Sequence, residues 1–329
     1  MTNQNEPIHT AFTQLMGIKY PIIGAPMFLV SNEDMVIEVS NAGGLGTFPA
    51  LNFRPTDRYA DAIKKIKKSS DKPIGVNIIV NKSNRRQSQD LKIALDNGVD
   101  LFVTSLGNPK TVIEEAHKIG AKVICDVTNL EHAKKVEDLG ADGVVAVSAG
   151  AGGHAGPTNP FVLIPWLKKE LHIPIIAAGG VAHGSALLAA LALGASAVHV
   201  GTRFIASTEA SIPIEYKNAI IDATPDDIIL TPRITGTPAT YINNEYLKSL
   251  SKDLPFAVKW LKENPRTKKY IVPLVHYMGY KIFEKAISSP HKAPVWSAGQ
   301  SSGLVNEILP CKEIIDRLVT EFWEAKNNV

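Results

Sequence analysis

From residue 21 to residue 200, short apolar runs alternate with longer segments whose apolar residues recur at helical spacing. The short runs, bounded by Gly or Pro, read as buried strands, and the longer ones as amphipathic helices. This predicts strands over 21–25, 44–48, 72–77, 101–104, 122–126, 143–147, 174–178 and 197–200. Helices are predicted near 32–41, 57–69, 87–97, 109–119, 130–139, 160–171 and 185–193. Gly98-Val-Asp100, Gly120-Ala-Lys122, Gly140-Ala-Asp142 and Gly194-Ala-Ser196 each place a glycine where a helix ends and a strand begins. Unbroken β-α alternation calls for parallel strands with helical crossovers. Eight such units point to a (β/α)8 TIM barrel rather than an open doubly wound sheet. The rhythm stops after Ile205. Residues 211–289 carry more Tyr, Pro and Lys, with helical stretches near 214–223 and 246–263. They read as an inserted, mainly helical cap on a barrel formed by 1–210 and 290–329. A closing amphipathic helix over 311–325 has Ile314, Ile315, Leu318, Val319 and Phe322 on one face.

Composition narrows the class. The 329 residues carry a formal net charge of +3, too small and scattered to argue for nucleic acid. The densest basic cluster, Lys64-Lys65-Ile-Lys67-Lys68, reads as the solvated face of a helix. Cys125 and Cys311 offer neither zinc spacing nor a disulfide framework, so a reduced, cytoplasmic setting is expected. The first seven residues are polar and lack a signal-peptide core. Residues 171–202 hold no Asp, Glu, Lys or Arg, but prolines, glycines and histidines interrupt them. A strand, turn, buried helix and strand explain that run better than a membrane span of about 20 apolar residues.

Chemistry in such barrels gathers at the C-terminal ends of the strands. Ala25-Pro-Met27 falls after the first predicted strand, Asn77 after the third and Asp126 after the fifth. After the sixth comes Ser148-Ala-Gly-Ala-Gly-Gly-His154-Ala-Gly-Pro157, one histidine among residues with almost no side chain. Such a loop lets a flat ligand lie against the main chain and offers an imidazole that exchanges protons near neutral pH. Its bland alternative is a flexible surface loop. Gly179-Gly180 follows the seventh strand and Gly201-Thr202 the eighth, the two loops that commonly bind phosphate. Either pair alone would read as a tight turn; together they favour a phosphate site.

Ala149-Gly-Ala-Gly-Gly-His154-Ala-Gly156, Ile176-Ala-Ala-Gly-Gly180-Val-Ala and His199-Val-Gly-Thr-Arg-Phe204 resemble the nitronate monooxygenase family. That family, formerly 2-nitropropane dioxygenase, includes the flavin-dependent type II enoyl-ACP reductases. Ala25-Pro-Met27, Asn41-Ala-Gly-Gly-Leu-Gly46, Gly75-Val-Asn77 and Ala298-Gly-Gln300 add to the likeness, which fades over 211–289. The resemblance implies an FMN-binding barrel. Ala25, Pro26 and Met27 would line the flavin ring, Asn77 would hydrogen-bond it, and Gly153 would lie against it. Gly179, Gly180, Gly201 and Thr202 would hold the phosphate, with His199 and Val200 on the adjoining strand and Gln300 close by. His154 would be the catalytic residue. Val147 stands where many members have Gln. Some members carry Lys near Asp126, whose carboxylate would bind the ribityl hydroxyls or serve as a salt-bridge partner.

The implied reaction is oxidation of an alkyl nitronate with O2 to a carbonyl compound and nitrite. The alternative is an NAD(P)H-dependent flavin reductase acting on an enoyl thioester or quinone. A flavin-free sugar-phosphate barrel and a non-enzymatic flavin-binding protein are further readings. The expected partners are small molecules and O2, with neither nucleic acid nor membrane, and a homodimer is a possible assembly. Other features have plainer readings. His117, His132, His172 and His183 are expected to be structural or exposed, His199 is expected to be a core histidine, and His276 and His291 show no partner pattern. Arg203 would attract an anion or form an ion pair at the strand end. Tyr241, Tyr246, Trp260 and Tyr277 would line a pocket or simply pack.

Overall fold

The computed structural model describes residues 6–81, 84–234, 237–250 and 294–329, with single residues and short pieces between 271 and 286. Eight parallel strands close into a barrel in sequential order. They are β1 (Ile22–Gly24), β2 (Leu45–Pro49), β3 (Ile74–Ile79), β4 (Leu101–Ser105), β5 (Lys122–Val127), β6 (Gly143–Val147), β7 (Ile175–Ala178) and β8 (Ala197–Val200). Closure is made by β1 against β8, with Ile23 opposite His199. Every predicted strand is present.

A short helix, α1 (Ala11–Met16), precedes the barrel. The crossovers are α2 (Glu33–Asn41), α3 (Thr56–Ser69), α4 (Gln87–Asp96), α5 (Lys110–Lys118), α6 (Leu130–Asp138), α7 (Pro160–Glu170) and α8 (Gly184–Ala192). Their starts are capped as the side chains dictate. Asn32 accepts from the Met35 N–H, Asn129 from His132 and His183 from Ser185. Gly98, Gly120, Gly140 and Gly194 all take left-handed conformations just past their helices, as the repeated motif predicts. The basic cluster of α3 faces solvent, where Lys65 pairs with Asp34 at 2.6 Å.

Period-two alternation divides the strand side chains between two cores. Val76, Phe102, Val123, Cys125, Val144, Ala146, Ile175, Val198 and Val200 pack outward against the helices. Ile23, Leu45, Leu101, Val103, Ile124, Val145, Ile176, Ala178 and Ala197 fill the barrel. Phe12 and Met16 of α1 join this inner cluster. Burying each contributes about 1.5–3 kcal/mol. No element was expected there, because six residues carry too little periodicity to read.

The C-terminal helix (Cys311–Asn327) is the predicted closing helix. It lies against α8 at backbone contact. A Cβ on Gly184 would stand 2.2 Å from the Phe322 nitrogen, and the Gly184 N–H donates to Glu321 at 2.7 Å.

Beyond β8 the chain adds a hairpin to the mainly helical expectation. A short helix, α9 (Thr202–Ile205), follows β8 at once, and α10 (Ile214–Asp222) comes next. Then an antiparallel hairpin forms, β9 (Ile228–Thr231) with β10 (Ala239–Ile242), followed by α11 (Glu245–Ser249). The chain is back beside the barrel by Gly299, which bonds to Thr202, and Leu309 then pairs with Ser207. The rest of the predicted 246–263 helix, Trp260, Tyr277, His276 and His291 lie outside the described residues.

Candidate active site

The inner layer of the barrel turns polar at its C-terminal mouth. Asn77 on β3, Ser105 on β4, Asp126 on β5 and His199 on β8 continue the inward-facing rows, with Val147 and Ala178 between Asp126 and His199. Three of the polar groups form a chain. Asn77 Nδ2 donates to Ser105 Oγ at 2.8 Å, and Ser105 Oγ donates to Asp126 Oδ2 at 2.5 Å. Asn77 Nδ2 also donates to the Val103 carbonyl.

Two polar atoms in this layer, Asp126 Oδ1 and His199 Nε2, are buried with no hydrogen-bond partner among the described residues. Burial pushes the Asp126 carboxyl up to about 6, partly offset by the Ser105 hydrogen bond. Burial lowers His199 to about 4, so its ring is neutral at neutral pH. Among the described residues Asp126 makes no ion pair. Ser105 was missed because the strand was expected to end at Thr104. The alternation of Leu101 and Val103 carries the signal that Ser105 faces inward.

Asp126 has a measurable consequence. Its proton is held more tightly in the folded chain than in the unfolded one. The cost of ionising it is therefore absent below the unfolded pKa and grows as pH rises from about 4 to about 6. Asp126→Asn is expected to raise the stability of the flavin-free protein at pH 7.5 by up to about 3 kcal/mol relative to wild type. Melting curves at pH 4.5 and 7.5 check it; a difference that does not grow with pH would refute the assignment.

The β1–α2 loop brings Ala25, Pro26 and Met27 to the rim. An ideal Cβ on Gly201 would lie 3.6 Å from Ala25 Cβ and 3.7 Å from Met27 Sδ, so these residues share one wall. Two side chains that sequence reasoning missed tie this loop down. Ser31 Oγ accepts from the Met27 N–H at 2.9 Å and donates to the Ala25 carbonyl at 3.0 Å. Asn52 accepts from the Leu29 N–H at 2.9 Å and donates to the carbonyls of Met27 and Ser31. Leu29 is thereby held at a φ of 61°, in the left-handed region.

The glycine-histidine loop follows β6, as expected. Its base is closed by the Ala149 N–H donating to Thr158 O at 2.8 Å. His154 is exposed. The space beside Gly153 and Gly180 is open, whereas Gly152 faces Gly299 and Ala298, and Gly179 faces Ser148 and Ala151. Gly179 and Gly180 have φ values of 116° and 79°, directly after β7. Thr202 opens α9, a single turn in which the Phe204 and Ile205 N–H groups already donate to Gly201 O, at 2.8 and 3.3 Å. Its hydroxyl is buried and accepts from the Gly299 N–H at 2.9 Å. The Gln300 N–H donates to Gly150 O at 3.0 Å, so the C-terminal segment lies against the loop. Gln300 itself is exposed.

Several residues sit apart from the mouth. The Val200 side chain is buried in the outer core, and only its carbonyl, accepting from Ala25 N, takes part in the rim. The buried Arg203 Nη1 donates to the carbonyls of Glu307 and Ala206, and among the described residues it pairs with no carboxylate. Tyr241 is buried, and Tyr246 packs partly against the outer core. His183 caps α8, and His117 lies 2.8 Å from Asp142.

The family model described as nitronate monooxygenase matches residues 9–92 and 83–321. The chain belongs to the nitronate monooxygenase family. As a member it is a flavin-dependent oxidoreductase. A probable nitronate monooxygenase of Staphylococcus saprophyticus is 31% identical, over 74% of this chain and 81% of its own. A Rhodococcus jostii protein named (3aS,4S,5R,7aS)-5-hydroxy-7a-methyl-1-oxo-octahydro-1H-indene-4-carboxyl-CoA dehydrogenase is 30% identical, over 95% and 96%. Among solved structures, FabK from Thermotoga maritima superposes with a TM-score of 0.85 at 32% identity, covering 98% of both chains. No helix among the described residues is long and apolar enough to cross a membrane.

Proposed function

We propose that this member of the family binds FMN at the barrel mouth and oxidises alkyl nitronates with O2 to carbonyl compounds and nitrite. The observation that carries the cofactor reading is the pair of buried atoms, Asp126 Oδ1 and His199 Nε2, that have no hydrogen-bond partner among the described residues. Buried polar groups are normally hydrogen-bonded, so these two call for a polar ligand above them. The open space beside Gly153 and Gly180 suits the same ligand, a flat ring on one side and a phosphate on the other.

In this reading Gly179, Gly180, Gly201 and Thr202 hold the phosphate. Asp126 and Asn77 take the ribityl and ring polar atoms, and Ala25, Pro26, Met27 and Gly153 line the ring. Bound FMN supplies the redox chemistry, and the protein supplies position and electrostatics. His154, on its glycine loop, takes the α-proton of a neutral nitroalkane or orients the nitronate anion. The proposed cap, 211–289, would shape the substrate space.

A second reading is favoured by the Rhodococcus relative, a named dehydrogenase of a carboxyl-CoA compound matched over nearly its whole length. Here the protein would be a pyridine-nucleotide-dependent flavin enzyme acting on a thioester, with His154 donating a proton or hydrogen bond. One experiment separates the two. Purified yellow protein is mixed anaerobically with NADH, NADPH or an alkyl nitronate, and the flavin band is followed. Bleaching by the nitronate alone is the expected result, and rapid bleaching by NADH or NADPH would replace the first reading by the second. Colourless protein that takes up no FMN would end both.

A further inference from the structure

The glycine-histidine loop has almost no side chains with which to hold itself. Each glycine adds backbone freedom that must be lost on ordering, about 0.5–1 kcal/mol relative to alanine. A base on such a loop needs outside restraint to stay in register with its substrate. The carbonyls leading up to His154 supply the handles. Gly150 O accepts from the Gln300 N–H, Ala151 O from Thr240 Oγ at 2.8 Å, and Gly153 O from the Thr240 N–H at 2.8 Å.

Thr240 is thus a two-point clamp on the residues just before His154. It lies on β10, within the segment beyond the barrel, and is itself buried. Its own carbonyl accepts from Ser297 Oγ, and β10 is held on both sides, by β9 and by the Trp296–Ser297 stretch. Behind that stretch Tyr216 stacks on Trp296, with ring centroids 4.6 Å apart, and donates its hydroxyl proton to Ser297 O at 2.6 Å. The restraint on the residues just before His154 therefore comes from the hairpin, beside that of the C-terminal segment at Gly150.

We infer that Thr240 is the positioning residue for His154, fixing the catalytic loop through its hydroxyl and linking the base to the hairpin beside it. The inference rests on the proposed role of His154 as a base for neutral nitroalkanes. The Thr240 N–H bond survives substitution, so Thr240→Val removes only the hydroxyl donor at nearly constant shape, and Thr240→Ser restores it.

The test uses the full-length, flavin-loaded protein and two readouts. The first is hydrogen exchange of the backbone amides of 150–156. Thr240→Val is expected to speed it about tenfold, the loosening that follows from one buried carbonyl losing its donor, and Thr240→Ser to return it to the wild-type rate. The second is steady-state turnover of a nitroalkane and of the nitronate made from it. Thr240→Val is expected to lower kcat on the nitroalkane about tenfold, with KM within twofold, while the nitronate, which needs no base, changes by less than threefold. Unchanged exchange would overturn the clamp, whatever the enzyme's reaction. Faster exchange with equal losses on both substrates would overturn the link to His154. Wild-type protein inert toward both substrates would instead defeat the proposed reaction, and the exchange result would still decide the clamp.

Discussion

His154→Asn is expected to lower turnover of a neutral nitroalkane by about 10²–10⁴-fold and turnover of the corresponding nitronate by less than about tenfold. Asparagine keeps a hydrogen-bond donor of similar reach but cannot accept a proton near neutral pH. The nitroalkane must lose its α-proton before oxidation, whereas the nitronate has already lost it. An orienting contact to the anion survives in part, and a base does not. His154 is exposed, on a loop pinned from outside by Thr240 and Gln300, so the substitution leaves the core untouched. Flavin content should match wild type. Steady-state assays with both substrates check the ratio; equal losses would exclude a dedicated base.

The second large effect is structural. Gly299→Ala would place a Cβ 2.5 Å from Gly150 O and 2.8 Å from Gly152 N, both main-chain atoms. Neither can swing aside as a side chain would, so the loop before His154 and the C-terminal segment must separate. The separation would also stretch the bond from the Gly299 N–H to Thr202 Oγ, at the start of α9. Overpacking of this kind costs about 1–3 kcal/mol or more, a fall in Tm of roughly 2–10 °C. Loss of bound flavin is expected with it, because the proposed ring wall and phosphate loop shift together. Thermal melting and the flavin-to-protein absorbance ratio measure both. A variant with native Tm and full flavin content would show that the two segments do not pack as described.

The barrel was legible because its signals are local. An apolar run bounded by Gly or Pro reports a strand without reference to anything distant, and so does a glycine past a helix end. Gly98, Gly120, Gly140 and Gly194 behaved as their motif required. The rim was legible for the same reason: strand ends fall at known points along the chain, so Asn77, Asp126 and the glycine loops could be placed at one mouth.

The misses are equally physical. Ser105 escaped because polar residues at strand ends resemble turn residues unless the inward parity is followed one step further. Asn52 and Ser31 act on the Ala25–Pro26–Met27 loop through side-chain contacts that leave no periodic trace. The hairpin of β9 and β10 went unread within a mainly helical cap because four-residue strands lack the length to show alternation. Arg203 was read as attracting an anion or forming an ion pair, whereas its Nη1 donates to two backbone carbonyls.

The sequence by itself determined the barrel, the order of its units, the place of the mouth and the family, since each depends on neighbours along the chain or on motifs read in order. Only the tertiary structure decided which polar atoms stand unpartnered at that mouth and which segment restrains His154. Those depend on contacts such as Thr240 with Ala151 and Gly299 with Thr202, between residues far apart in sequence. Nothing local marks a hydroxyl as a clamp, because its role exists only once a distant carbonyl has been folded against it.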